Sequence, residues 1–156
     1  MDRQKVFGKM MDAFFEGSRI IYKYDKMPRK YGTGIELYMS EMHTLDFIYT
    51  NEGTTVTNLA DMTKKTKSAI TQLTNRLEKK GLIKKLRNDA YYKEINLVLT
   101  ELGKKTCSFH KSLDEKKYRK AIKYIENYSV DDLQKCYEIF SIITQAMNKE
   151  ELGRNK

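Results

Sequence analysis

The densest chemistry in this sequence is cationic. Between Met62 and Arg87 stand nine basic side chains, Lys64, Lys65, Lys67, Arg76, Lys79, Lys80, Lys84, Lys85 and Arg87, against one acid, Glu78. That segment carries +8 of a net charge of +9; a second block, Glu101 to Lys123, carries +5, so the remainder is negative. An excess of this size favours polyanions, either nucleic acid or an anionic membrane surface. Interleaved with the cations are Ser68, Thr71, Gln72 and Asn75. Gln and Arg can make paired hydrogen bonds to base edges in the major groove, and Lys, Ser and Thr bind phosphates.

Other chemistries find little material. The sequence holds two histidines, His43 and His110, and two cysteines, Cys107 and Cys136, with no CxxC spacing. A metal site joining His43, beside Glu41 and Asp46, to His110, beside Cys107 and Asp114, is chemically conceivable. Histidines at a polar interface are the commoner arrangement, so no metal or cofactor is expected. Both cysteines read as small buried hydrophobes. There is no GxSxG, P-loop, HExxH or dinucleotide-binding glycine pattern, so no catalytic residues are assigned and no enzyme is expected. The start, MDRQKVFGKM, lacks a signal-peptide apolar run, and no stretch approaches the roughly 20 apolar residues that span a bilayer. A cytoplasmic chain without a membrane partner is the expectation.

The elements that must position the cations follow from periodicity. Val6, Phe7, Met10, Met11, Phe14, Ile21 and Tyr24 recur at helical spacing and predict a first helix over 2–25. Pro28, Gly32 and Gly34 mark a loop. Ser40 is the expected cap of a second helix that buries Met42, Leu45, Ile48 and Tyr49 and ends at Asn51-Glu52-Gly53. Thr55 should cap a short third helix burying Leu59 and Ala60. Thr66 should cap a fourth, running to Lys80, with Ala69, Ile70, Leu73 and Leu77 as its inner stripe and Gly81 as its stop. The period then changes to two across Leu82-Ile83 and Ile95, Leu97, Leu99, which predicts a β-hairpin. Thr100 should cap a long helix to about Asn127. Ser129 with Asp132 resembles a capping box opening a last helix, with Val130, Leu133, Tyr137, Phe140, Ile143 and Met147 on one face.

Helix three, the turn Thr63-Lys64-Lys65 and helix four together read as a helix-turn-helix, whose second helix enters the major groove in such motifs. From about Ser40 to Lys105 the chain resembles the MarR family of winged helix-turn-helix transcriptional regulators. The resemblance rests on Leu59-Ala60, Thr66, Ala69-Ile70-Thr71, Leu77-Glu78, Gly81-Leu82-Ile83 and Leu99-Thr100-Glu101-Leu102-Gly103, matched without a gap. It implies a mainly α fold with a small β-hairpin wing, in one unit over 1–156. Residues 36–100 would form the winged DNA-binding lobe, and 1–30 with 101–150 the helical dimerisation lobe. It further implies a homodimer on a pseudo-palindromic operator in double-stranded DNA, usually as a repressor. DNA-binding residues on this reading are Lys65, Thr66, Lys67, Ser68, Thr71, Gln72, Asn75 and Arg76, with Arg87, Tyr91, Tyr92 and Lys93 on the wing. A cleft for small aromatic ligands is also implied, with Tyr22, Tyr38, Met42, His43 and Phe47 as its lining.

Two departures stand out. The family turn is often Leu-Gly-Val where this chain has Thr63-Lys64-Lys65, and a lysine at the core-valine position either snorkels or meets phosphate. The wing-tip Asp-x-Arg is replaced by Tyr91 and Lys93. Both departures leave open an alternative, a protein-interaction module that keeps the winged fold without reading DNA.

Overall fold

The computed structural model describes residues 2–87 and 95–154. They divide into two compact units, Met1–Leu113 and Asp114–Lys156, with the boundary inside one helix. The first unit opens with α1 (Arg3–Asp25), capped by Asp2. Strands β1 (Arg29–Lys30) and β2 (Glu36–Leu37) pair antiparallel, and α2 (Met39–Thr50), α3 (Val56–Thr63) and α4 (Lys67–Lys79) follow. Strands β3 (Ile83–Arg87) and β4 (Ile95–Leu99) form an antiparallel hairpin with Ile83 opposite Leu99 and Arg87 opposite Ile95. Helix α5 (Glu101–Ala121) crosses the boundary. The second unit continues through a 3-10 turn (Ile122–Ile125) to α6 (Val130–Arg154).

The core of the first unit is built from the inner faces of α2, α3 and α4 and the base of the hairpin. Leu37, Met42, Leu45, Leu59, Ile70, Leu77 and Leu82 are fully out of water. Each such side chain contributes roughly 1.5–3 kcal/mol through burial. Caps fix the helix starts: Thr55 Oγ1 accepts from Asn58 N at 3.2 Å, and Thr66 Oγ1 from Ala69 N at 3.2 Å. The Ser129–Asp132 capping box forms as expected, with Asp132 N donating to Ser129 Oγ at 3.1 Å and Ser129 N to Asp132 Oδ2 at 3.0 Å. These hydrogen bonds hold the Asp132 carboxyl below its usual pKa.

Several expectations need correction. Helix α2 begins after Tyr38 rather than Ser40, because the Glu41 side chain reaches back to accept from Tyr38 N at 3.0 Å. Tyr49 and Ala69 are exposed, and the inner stripe of α4 is Ile70, Leu73, Thr74 and Leu77. Thr74 is tolerated there because its hydroxyl donates to Thr71 O at 3.1 Å. The Pro28–Gly34 loop carries a short strand at each end and buries Tyr31, whose ring meets His110 of α5 edge-on at 5.3 Å. The long helix stops at Ala121. Cys136 is exposed, and only Cys107 is buried.

The α3–α4 turn closes around a left-handed residue. Lys64 has φ +54°, the one positive-φ non-glycine among the described residues. Its N–H donates to Asp61 O, and Lys65 N donates to Ala60 O at 3.1 Å, the paired bonds of a Schellman stop. Left-handed backbone costs an L-residue about 1–2 kcal/mol, offset in part by the roughly 0.5–1 kcal/mol of extra chain entropy that glycine loses on folding. Lys64→Gly should therefore stabilise the protein by about 0.5–1 kcal/mol, as read from a raised urea midpoint at unchanged slope.

Candidate nucleic-acid interface

Burying Ile70, Leu73, Thr74 and Leu77 turns the opposite face of α4 outward, so that Lys67, Ser68, Thr71, Gln72, Asn75 and Arg76 are all exposed. Lys65 and Thr66 are exposed in the preceding turn. The first turn of α4 holds no acid, so its free N–H groups and partial positive charge are not opposed locally. Thr71 donates its hydroxyl to Lys67 O at 2.7 Å, which leaves its oxygen as an acceptor. Arg87 is exposed at the end of β3, whereas Tyr91, Tyr92 and Lys93 lie outside the described residues.

The cations of this segment are not equivalent. Lys80 Nζ lies 2.9 and 2.8 Å from the two carboxylate oxygens of the buried Glu41 and 2.8 Å from Glu36 O. Arg76 Nε lies 3.7 Å from the same carboxylate, with the side chain still half exposed. Lys85 pairs with Glu78 at 3.0 Å and donates to Asn75 Oδ1. Lys80 and Lys85 are thus internal anchors of α4, and the charge offered outward is smaller than +8. The pairing of Glu41 with Lys80, 39 residues away, is not legible in the sequence, because no local pattern couples a helix start to the end of another helix.

The hairpin is held against α5 by Thr100, whose Oγ1 donates to Gly81 O at 2.7 Å and accepts from Gly103 N at 3.1 Å. Thr54 and Thr55 flank its other edge: Leu97 N donates to Thr54 O at 2.9 Å, and Thr55 bridges to Asn96. Two helices with a tight turn, the second presenting a polar cationic face, followed by an anchored hairpin, make a winged helix. Residues 37–90 match the family model described as the MarR family.

The chain carries a MarR-family winged-helix fold.

Among curated proteins it is similar to YhjH of Bacillus subtilis (strain 168), described as an uncharacterized HTH-type transcriptional regulator. The two are 25% identical over 115 residues, 74% of this chain and 66% of the relative. The chain thus spans just under two-thirds of that relative's length. Among solved structures, Streptococcus pneumoniae FabT in complex with DNA matches with TM-score 0.70 and 20% identity, over 95% of this chain and 99% of that one. Staphylococcus aureus MarR in complex with salicylate and kanamycin matches with TM-score 0.65 and 18% identity, over 94% and 93%. The MarR-like architecture therefore extends beyond the segment covered by the family model.

The residues suggested for a ligand cleft occupy different environments. Met42 is fully buried in the core and Phe47 packs against it, whereas Tyr22, Tyr38 and His43 are exposed. A hollow of about 290 Å³ is lined instead by Ile48, Tyr49, Glu52, Gly53, Leu97, Val98, Leu99 and Lys104. Among the described residues no group of three or more His, Cys, Asp or Glu is placed to hold a metal ion. His110 Nδ1 lies 2.9 Å from Asp46 Oδ2. Burial, helped by the neighbouring Asp46 carboxylate, pushes the Cys107 thiol up to about 12, which keeps it protonated and unreactive.

Burial also raises the Asp46 carboxyl above its ordinary 3.8, against the opposing pull of His110, Cys107 and His43. The folded state therefore binds this proton more tightly than the unfolded one. The associated stability is fully present below pH 3.8 and is lost as pH rises through the raised value. Asp46→Asn should remove that downward step from a urea-melt series between pH 3.5 and 6, and an unchanged profile would contradict the assignment.

Proposed function

We propose that this chain is a sequence-specific DNA-binding transcriptional regulator, acting as a homodimeric repressor on a pseudo-palindromic operator. The observation that carries the reading is α4: its apolar residues are buried while Lys67, Ser68, Thr71, Gln72, Asn75 and Arg76 are exposed together on a helix whose N-terminus carries no acid. Thr66 to Lys79 would lie in the major groove, with Arg87 and the wing on the backbone. FabT was solved with DNA, which supports the same use of the fold here.

Dimerisation is supported by unburied apolar surface within each unit. Helix α1 buries none of its residues and exposes Val6, Phe7, Phe15 and Ile21, and α6 exposes Leu133, Tyr137, Ile139 and Ile142. Residues 1–30 and 101–150 would form the dimerisation lobe and 36–100 the reading lobe. S. aureus MarR was solved with salicylate, and modulation by a small aromatic ligand is part of this proposal. Among the described residues no helix is long and apolar enough to cross a membrane.

The test is a gel-shift on DNA upstream of the protein's own gene, titrated at two salt concentrations, with the mass of the free protein measured by light scattering. Salt-sensitive, sequence-dependent binding by a dimer is expected; binding indifferent to sequence would sink the proposal. Lys67→Gln should lower the slope of log affinity against log salt by about one unit if Lys67 neutralises a phosphate. Gln72→Ala should instead relax sequence preference.

A further inference from the structure

Asn75 sits on the exposed face of α4 in a groove of about 390 Å³ shared with Thr55, Val56, Thr57, Thr71, Lys85 and Ile95. From β3, the Lys85 ammonium donates to Asn75 Oδ1 while pairing with Glu78 Oε2 at 3.0 Å, and the lysine side chain is only 18% exposed. An ammonium carries three donors and no acceptor. The carboxamide must therefore turn its oxygen toward Lys85, and its Nδ2 takes the opposite side. Glu78 also holds the cation, so the amide orientation is anchored by the protein before any ligand arrives.

That orientation has a consequence for base reading. An unconstrained asparagine recognises adenine by accepting from N6 and donating to N7, which needs both ends of the amide. With Oδ1 held by a cation, a second donor approaching the oxygen meets the adjacent positive charge. Oδ1 keeps a second lone pair, but the cation weakens it toward a further donor, so Nδ2 with its two N–H donors becomes the stronger reader. Of the four bases, guanine presents two acceptors in the major groove, N7 and O6, whereas adenine sets a donor beside its acceptor.

We propose that Lys85 is a positioning residue for base recognition: by holding Asn75 Oδ1 it makes Asn75 act mainly as a donor, which selects guanine over adenine at the base pair it faces. The inference rests on the proposed DNA-reading function.

The test is selection of bound sequences from a randomised duplex library by the full-length protein, with wild type, Asn75→Ala, Lys85→Met and Lys85→Arg compared. The wild-type motif should carry guanine at one position of each half-site, and Asn75→Ala should flatten that position by roughly tenfold. Lys85→Met frees Oδ1 and should move the preference there to adenine, whereas Lys85→Arg keeps a donor and should keep guanine. Asn75→Asp adds an independent arm should Lys85→Met fail to fold. It retains an acceptor for Lys85 but has no donors, so the preference should pass to cytosine. A motif unaltered by Asn75→Ala, an adenine already selected by wild type at that position, or guanine retained in Lys85→Met or Asn75→Asp would each overturn the inference alone. A wild-type protein that enriches no motif would overturn the DNA-reading proposal and this inference with it.

Discussion

Gly103→Ala should lower the unfolding free energy by about 3 kcal/mol. A Cβ at this position would lie 2.1 Å from Leu82 O and 2.9 Å from Leu99 Cδ2. The first of these is backbone, and it is not free to move: Leu82 O accepts from Thr100 N at 3.0 Å, and Leu82 N donates to Leu77 O at 3.0 Å in the stop of α4. Relief requires α5 to back away from the root of the hairpin, which would break either the Thr100 tie to Gly81 or the Thr100 cap on Gly103. Overpacking costs about 1–3 kcal/mol, and a 2.1 Å clash with pinned backbone takes the top of that range; a lost cap adds about 1, which alanine returns through helix propensity. For a chain of this length the net loss corresponds to a fall in Tm of roughly 6–12 °C. Gly17→Ala is the control. It lies in α1 with nothing within 4 Å of the added Cβ, so it should leave Tm unchanged or raise it slightly. A Gly103→Ala protein as stable as wild type would show that α5 does not pack this closely on the Leu82 carbonyl.

That contact also explains why the run Leu99-Thr100-Glu101-Leu102-Gly103 was informative in the sequence. Thr100 caps the helix and ties it to Gly81, and Gly103 lets the first turn of α5 approach the strand. Both roles are local enough to be expressed as fixed spacing. The same holds for the caps at Thr55, Thr66 and Ser129 and for the change of period at Leu82. What was not legible depends on distance. Residue type places Ala69 at the edge of the α4 stripe, but Thr74 takes that place, because a threonine can enter an apolar stripe once its hydroxyl bonds its own helix. The start of α2 is not legible because its cap is a carboxylate reaching back from three residues on, and Tyr38 carries no capping signature of its own. At the interface, the outward face of α4 was readable from its period. The division of its lysines into anchors and exposed charges was not, since it depends on Glu41 and on an asparagine ten residues from Lys85.

Glu41→Gln should destabilise the protein by about 2–3 kcal/mol, the second-largest effect expected. The Glu41 side chain is 2% exposed and that of Lys80 29%, so the pair is largely removed from water. The carboxylate also accepts from Tyr38 N, and the ammonium donates to Glu36 O, so most of the polar capacity of both groups is satisfied within the protein. Glutamine can keep one or two of these hydrogen bonds but leaves the Lys80 cation without its anion. Removing one partner of a buried pair costs about 3–5 kcal/mol, and the residual exposure of Lys80 brings the expected cost below that range. Lys80→Met should be at least as damaging, because it leaves the more deeply buried Glu41 with the Tyr38 N–H and the more distant Arg76, at 3.7 Å, as its partners. The double variant should lose less than the two single losses combined, since neither charge is then stranded. Salt dependence separates this pair from the surface. The Lys135–Asp131 pair is 65% and 76% exposed, and breaking it should change stability by at most about 0.5 kcal/mol, an effect that disappears in 1 M salt. The Glu41→Gln loss should persist there, because ions cannot enter a site that water barely reaches; a loss that vanished with salt would mean that the α2–α4 junction is open to solvent.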